Sequence, residues 1–155
     1  MLKQLAESKK HHPVRPLLLT LAQFALAAAI FLQHDWSRDN HVANLLVVAG
    51  VAVMIWATIS MGTKTLTVSP TPRQSASLKT TGAYRWMRHP MYSALLTASA
   101  GCAFAPPRLS IITCWLGLLG VLMLKIKFEE KLLRKRFPEY TEYQAKTSML
   151  IPLLL

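Results

Sequence analysis

The chain has 155 residues, 52% of them apolar and only 16% charged, with a formal net charge of +11. So apolar a chain departs from the composition of an ordinary soluble domain and suits a small membrane protein. A charge of that sign on a soluble protein would point to nucleic acid, but the placement of the cations described below accounts for it without one.

Residues 1–13 form a polar tail, and no small-residue cleavage site follows the first apolar run, so no cleavable signal peptide is expected. Four apolar segments follow. Val14–Gln33 and Val42–Met61 each reach the ~20 residues that a spanning helix needs, and the second carries no charge. A long loop, Gly62 to Pro90, comes next; Pro70 and Pro72 make its first half irregular. A connection of that length is expected to be functional or disordered.

The third segment, Met91–Ala105, is short and rich in Ala, Ser, Thr and Gly; the fourth, Leu109–Leu124, contains Gly117 and Gly120. They meet at "APPR", Ala105 to Arg108. Fifteen helical residues rise only about 22 Å, so the pair is either a tilted hairpin of spans or a partly re-entrant unit. Its small residues suit close helix contact rather than lipid. No helix breaker stands between Leu109 and Pro138, which predicts that the fourth helix runs on through "KIKFEEKLLRKRF" into the cytoplasm. A short helix with Tyr140 and Tyr143 on one side should follow. The predicted fold is all-α, a single membrane domain over 1–155. It is a polytopic bundle of about four transmembrane helices with a cytosolic C-terminal helical extension.

Every Lys and Arg except Arg38 and Arg108 falls on one side of these segments. The positive-inside rule then places both termini and the middle loop in the cytoplasm. Cys102 and Cys114 lie in apolar runs and serve as packing residues. Apart from the adjacent His11 and His12, no His stands at metal-ligand spacing, and no metal is expected. None of the four segments holds Asp or Glu, which argues against a proton-coupled exporter, since that needs an ionisable acid inside the membrane.

Two constellations can hold chemistry. The first is "GAYRWMRHPMYSALL", Gly82 to Leu96. Pro90 suits the first turn of a helix, where its missing N–H costs nothing, and His89 then falls at the cap. Free backbone N–H groups at such an end attract anions, and Arg85 and Arg88 add charge. Tyr84, Trp86 and Tyr92 offer ring faces to a flat base or a cation. The same residue types also form plain interfacial belts, and the chemistry alone leaves both readings open. The second is "KIKFEEKLL", in which Glu129 and Glu130 stand about 7 Å beyond the apolar core. They can form solvated i,i+4 pairs, Lys125 with Glu129 and Glu130 with Arg134. Alternatively one carboxylate turns inward to a ligand. Neighbours on a helix point about 100° apart, so both cannot face one direction equally.

Together, "LKTTGAYRWMRHPMY", a helical hairpin, "EEKLLRKRFPEYTEY" and a closing "IP" resemble the isoprenylcysteine carboxyl methyltransferases and the related phospholipid N-methyltransferases. The resemblance runs from about Ser77 to Pro152. It implies an integral membrane enzyme of a bacterial or archaeal inner membrane, with its active site on the cytoplasmic side and S-adenosylmethionine as cofactor. Carried over to this sequence, Tyr84, the element His89, Pro90, Met91 and Tyr92, and the stretch around Leu78 and Lys79 line the cofactor site. Glu129 is expected on the cofactor, with Glu130 as its neighbour. Arg88 and Lys125 are the expected catalytic cations, Lys125 standing where the carboxyl methyltransferases place an Arg implicated at the substrate end. The implied acceptor is a lipidic or prenylated molecule entering from the bilayer, most readily an isoprenylcysteine-like carboxylate. A phospholipid or another small molecule is the alternative.

Overall fold

A computed structural model of the chain describes residues 14–36, 40–62, 78–104 and 107–152. These form five α-helices and no strand: α1 Val14–Gln33, α2 His41–Met61, α3 Pro90–Phe104, α4 Leu109–Arg136 and α5 Tyr140–Lys146. A 3-10 turn over Gly82–Arg85 precedes α3. The all-helical bundle is the architecture that the sequence predicts. The first half of the middle loop and the polar tail lie outside the described residues.

Three helices are long and apolar enough to cross a membrane: α1 from Pro16, α2 and α4. The remaining long element, α3, has 15 residues and rises about 22 Å, well short of the ~30 Å hydrocarbon core of a bilayer. It is also the most enclosed, with eight buried residues, because α2 and α4 both pack on it.

Small residues set that packing. On α2 the buried positions are Ala43, Gly50 and Ala57, one every seven residues and hence one stripe along the helix. A Cβ on Gly50 would stand 2.6 Å from the Ala94 carbonyl oxygen of α3, and one on Gly101 of α3 would stand 2.6 Å from that of Ala43. The two backbones therefore meet at reciprocal glycines, a close approach that suits helices in lipid. The opposite face of α2 exposes Val42, Leu45, Val48, Ile55 and Ile59, as a lipid-facing surface should. Asn40 caps the start of α2, its side chain accepting from the N–H of Val42 and Ala43 at 3.1 Å.

A second layer joins α1 to α4 and α4 to α3. Ile30, Leu96, Ile111, Leu118, Leu122 and Ile126 form its buried core, and Trp115 Nε1 on α4 donates to the Leu96 carbonyl at 3.1 Å. The α1 end at Gln33 meets the start of α4, where Arg108 donates to the Gln33 carbonyl at 3.3 Å. The other end of the bundle gathers the end of α2, the 3-10 turn, the start of α3, the end of α4 and α5.

Candidate functional site

Pro90 opens α3, as its chemistry predicts. His89 is the cap: its carbonyl accepts from the N–H of Tyr92 and of Ser93, both at 3.1 Å. The turn leading there is anchored on α2, where Ser60 Oγ accepts from Ala83 N–H at 3.0 Å. Gly82, with φ 63°, permits that approach, since a side chain there would be strained and would collide with Ser60.

His89 and Tyr92 lie one helical turn apart and stack, ring centroids 5.5 Å apart and planes 4° from parallel. Glu129, near the end of α4, closes on them. The Tyr92 hydroxyl donates to Glu129 Oε1 at 2.7 Å, and His89 Nδ1 is 3.8 Å from Glu129 Oε2. Glu130 turns away, as the 100° step requires. Its Oε1 accepts from Arg88 Nε at 2.8 Å, its Oε2 accepts from Gln144 Nε2 at 2.8 Å, and Arg134 stands 3.6 Å off. His89 Nε2 is buried and faces Glu130 Oε1 at 3.5 Å, a contact that falls short of a well-formed hydrogen bond.

Arg88 is equally engaged. Its Nη1 donates to the carbonyls of Gln144, at 3.0 Å, and of Thr147. Segment 147–150 then runs beside the turn: Arg88 N–H donates to the Ser148 carbonyl at 2.8 Å and His89 N–H to the Met149 carbonyl at 3.1 Å. Ser148 N–H returns a bond to the Trp86 carbonyl at 3.3 Å, and Ser93 Oγ donates to the Leu150 carbonyl.

Lys125 lies one turn before Glu129 and is buried. Its Nζ donates to Gln23 Oε1 of α1 at 2.7 Å and stands 5.3 Å from the Tyr92 ring centroid. The solvated Lys125–Glu129 pair suggested by their spacing is thus not formed; the cation reaches across the bundle instead. The Glu130–Arg134 pair does form, with its carboxylate buried and its guanidinium half-exposed.

The phenols beside the site are held neutral. Burial pushes the Tyr143 hydroxyl up to about 12, and it donates to the Tyr84 carbonyl at 2.6 Å. Burial also raises Tyr84, reinforced by Tyr143 and the Glu129 charge. Tyr140 is raised by burial and then by the Glu130 charge.

The sequence-predicted residues therefore divide. His89, Tyr92 and Glu129 form one face, with Pro90 buried behind it, Met91 partly buried and Lys125 against the Tyr92 ring. Arg88 and Glu130 form a neighbouring ion pair. Tyr84 is buried in the 3-10 turn, and Leu78 and Lys79 are partly buried in the stretch entering it. The belt reading survives for Arg85 and Trp86 alone: both are exposed, the guanidinium lying 5.9 Å from the ring centroid. Sequence reasoning missed Gln23, Gln144 and segment 147–150. Gln23 had a usable signal, an amide in the middle of an apolar span; a Gln on a short polar helix had none.

A stacked imidazole and phenol with a partly buried carboxylate at their polar edges can hold a flat, partly cationic molecule. Among the described residues no group of three His, Cys, Asp or Glu side chains gathers as a metal site would require.

Comparison with known proteins gives two kinds of match. The cobalt-zinc-cadmium resistance protein CzcN of Cupriavidus metallidurans is 31% identical over 133 residues, 84% of this chain and 60% of that protein. The nickel-cobalt-cadmium resistance protein NccN of Alcaligenes xylosoxydans xylosoxydans is 28% identical over 128 residues, 81% of this chain and 59% of that protein. The chain thus spans about three-fifths of the length of these relatives. The sequence profile of the phospholipid methyltransferase family matches residues 40–140, a stretch that includes both α3 and the Glu129–Glu130 pair. With the His89–Tyr92–Glu129 cluster inside the matched region, this helical membrane protein belongs to the phospholipid methyltransferase family.

Proposed function

We propose that the chain is an S-adenosylmethionine-dependent methyltransferase of the membrane, acting on a lipidic acceptor from the cytoplasmic side. The observation that supports this best is the partly buried hydrogen bond from Tyr92 to Glu129 beside the stacked His89 ring. The residues fit the cofactor: the Glu129 carboxylate, which has one side-chain donor in Tyr92, matches ribose hydroxyls or an ammonium, and the ring faces match a base or a sulfonium. When bound, the cofactor supplies a methyl group on a positively charged sulfur. His89, Tyr92 and Glu129 hold and orient it.

Lys125 presents a positive charge at the depth of the apolar helices, suited to the head of an anionic acceptor. A carboxylate such as that of an isoprenylcysteine is already ionised and needs no base. The residues around it then act by alignment and by excluding water. The metal-resistance names of the two relatives identify no methyl acceptor. The family's description favours a second acceptor class, a phospholipid head group, which would have to lose a proton if the acceptor were an amine.

The detergent-solubilised chain is expected to bind S-adenosylmethionine or its demethylated product. Glu129→Gln and His89→Ala should each weaken binding roughly tenfold or more, as loss of a hydrogen bond to a charged group does. Unchanged binding in both variants would overturn the site. Mass spectrometry of a membrane extract incubated with methyl-labelled cofactor then reads which lipid class gains the label.

A further inference from the structure

Adjacent carboxylates at the end of α4 have opposite environments. Glu129 Oε1 has one donor, Tyr92, and Oε2 faces His89 Nδ1 at 3.8 Å. Glu130 is filled: Arg88 on one oxygen, Gln144 on the other, and Arg134 beyond. A carboxylate offers about four lone-pair positions, and those of Glu130 are directed at protein donors. Its side chain is 5% exposed and that of Arg88 8%, and the polar atoms of both are engaged with protein groups.

What they do meet is the backbone. Arg88 bridges from Glu130 to the carbonyls of Gln144 and Thr147. The following residues, 148 and 149, take the N–H groups of Arg88 and His89. The His89 ring is caught between the two carboxylates, 3.8 Å from one and 3.5 Å from the other. We infer that Glu130, through Arg88 and Gln144, is a positioning residue. It pins segment 147–150 along the turn at residues 86–89 and so fixes the orientation of His89 relative to Glu129 and Tyr92. This rests on the reading of the His89–Tyr92–Glu129 face as a cofactor site, but the pinning itself does not.

A buried ion pair of this kind adds little net stability against an apolar substitute, yet removing one partner strands the other. Glu130→Gln should therefore loosen the strap rather than delete a ligand contact. The test is hydrogen exchange at the amides of Arg88, His89 and Ser148, together with calorimetric affinity for S-adenosylhomocysteine, on the detergent-solubilised 155-residue chain. In Glu130→Gln, exchange at those amides should speed up and affinity fall roughly tenfold. In Glu129→Gln, affinity should fall with exchange unchanged. The double variant His89→Ala/Glu130→Gln should bind no more weakly than His89→Ala alone, because Glu130 acts through His89.

Additive losses in that double variant, or lost affinity in Glu130→Gln with exchange unaltered, would make Glu130 a direct ligand contact and overturn the inference. Unchanged exchange and affinity would overturn it as well. If Glu130→Gln does not fold, Gln144→Met removes one arm of the clamp and should shift exchange in the same direction; no shift there counts against the proposal. If the wild-type chain binds no cofactor, the cofactor reading fails, and the exchange arm still decides whether Glu130 pins the strap.

Discussion

Lys125 poses the sharpest question at the scale of single residues. It is a buried amine whose one hydrogen bond is to a neutral amide, Gln23. Removing the amine alone leaves Gln23 Oε1 unpaired, at a cost of about 1–3 kcal/mol; replacing both by apolar residues removes the mismatch. Lys125→Met should therefore lower the melting temperature in detergent, and Lys125→Met/Gln23→Leu should restore it. Under the proposed function, methylation of an anionic lipid should stay lost in both. Recovery of turnover along with stability would show that the cation is only packed, not used. Much of this was legible beforehand: His89, Tyr92 and Glu129 stand out because polar groups next to apolar spans need partners. The Lys125 partner was not legible, because helical spacing offers Glu129 at i+4 and says nothing of a helix a hundred residues upstream. Arg88 was marked for its charge, and only the arrangement of α4 and α5 shows where that charge is directed.

Among elements, α2 and α3 depend on their glycines. Gly101→Val places branched carbon against the Ala43 carbonyl, which is backbone and cannot swing aside. A loss of about 1–3 kcal/mol, the usual cost of overpacking, should appear in thermal melts, with the helix pair forced apart. A melting temperature equal to that of the parent would show the contact to be looser than its geometry. The 3-10 turn and α5 give a different prediction. Tyr143 is raised to about 12 and Tyr84 is raised beside it, whereas an unfolded tyrosine ionises near pH 10. Between about pH 10 and 12 the unfolded chain loses protons that the native chain keeps, so stability is full below pH 10 and falls as pH rises. Tyr143→Phe should flatten that alkaline fall. Helix limits were legible because Pro90, Pro107 and Pro138 punctuate them. The pairing of residues 86–89 with 147–150 was not, since no local pattern announces contact across so long a stretch of chain.

Taken whole, the molecule is three membrane-length helices around a shorter fourth, with described cations such as Lys79, Arg85, Lys127, Lys131 and Lys146 at the end that holds the cluster. Class and charge asymmetry could be read from the sequence because lipid imposes both directly. Which helix would be enclosed followed only from which faces carry glycine and alanine. The shortness of α3 has a consequence for kinetics. Rising about 8 Å less than a hydrocarbon core is thick, it would carry the cluster at its start to within reach of the acyl chains if its other end meets the opposite surface. Under the methyltransferase reading, an acceptor reaches it by lateral diffusion in two dimensions, never passing through bulk water. Half-saturation should then track surface concentration. Expressed in molarity it should climb as inert lipid is added, and expressed as mole fraction of the mixed bilayer it should hold constant.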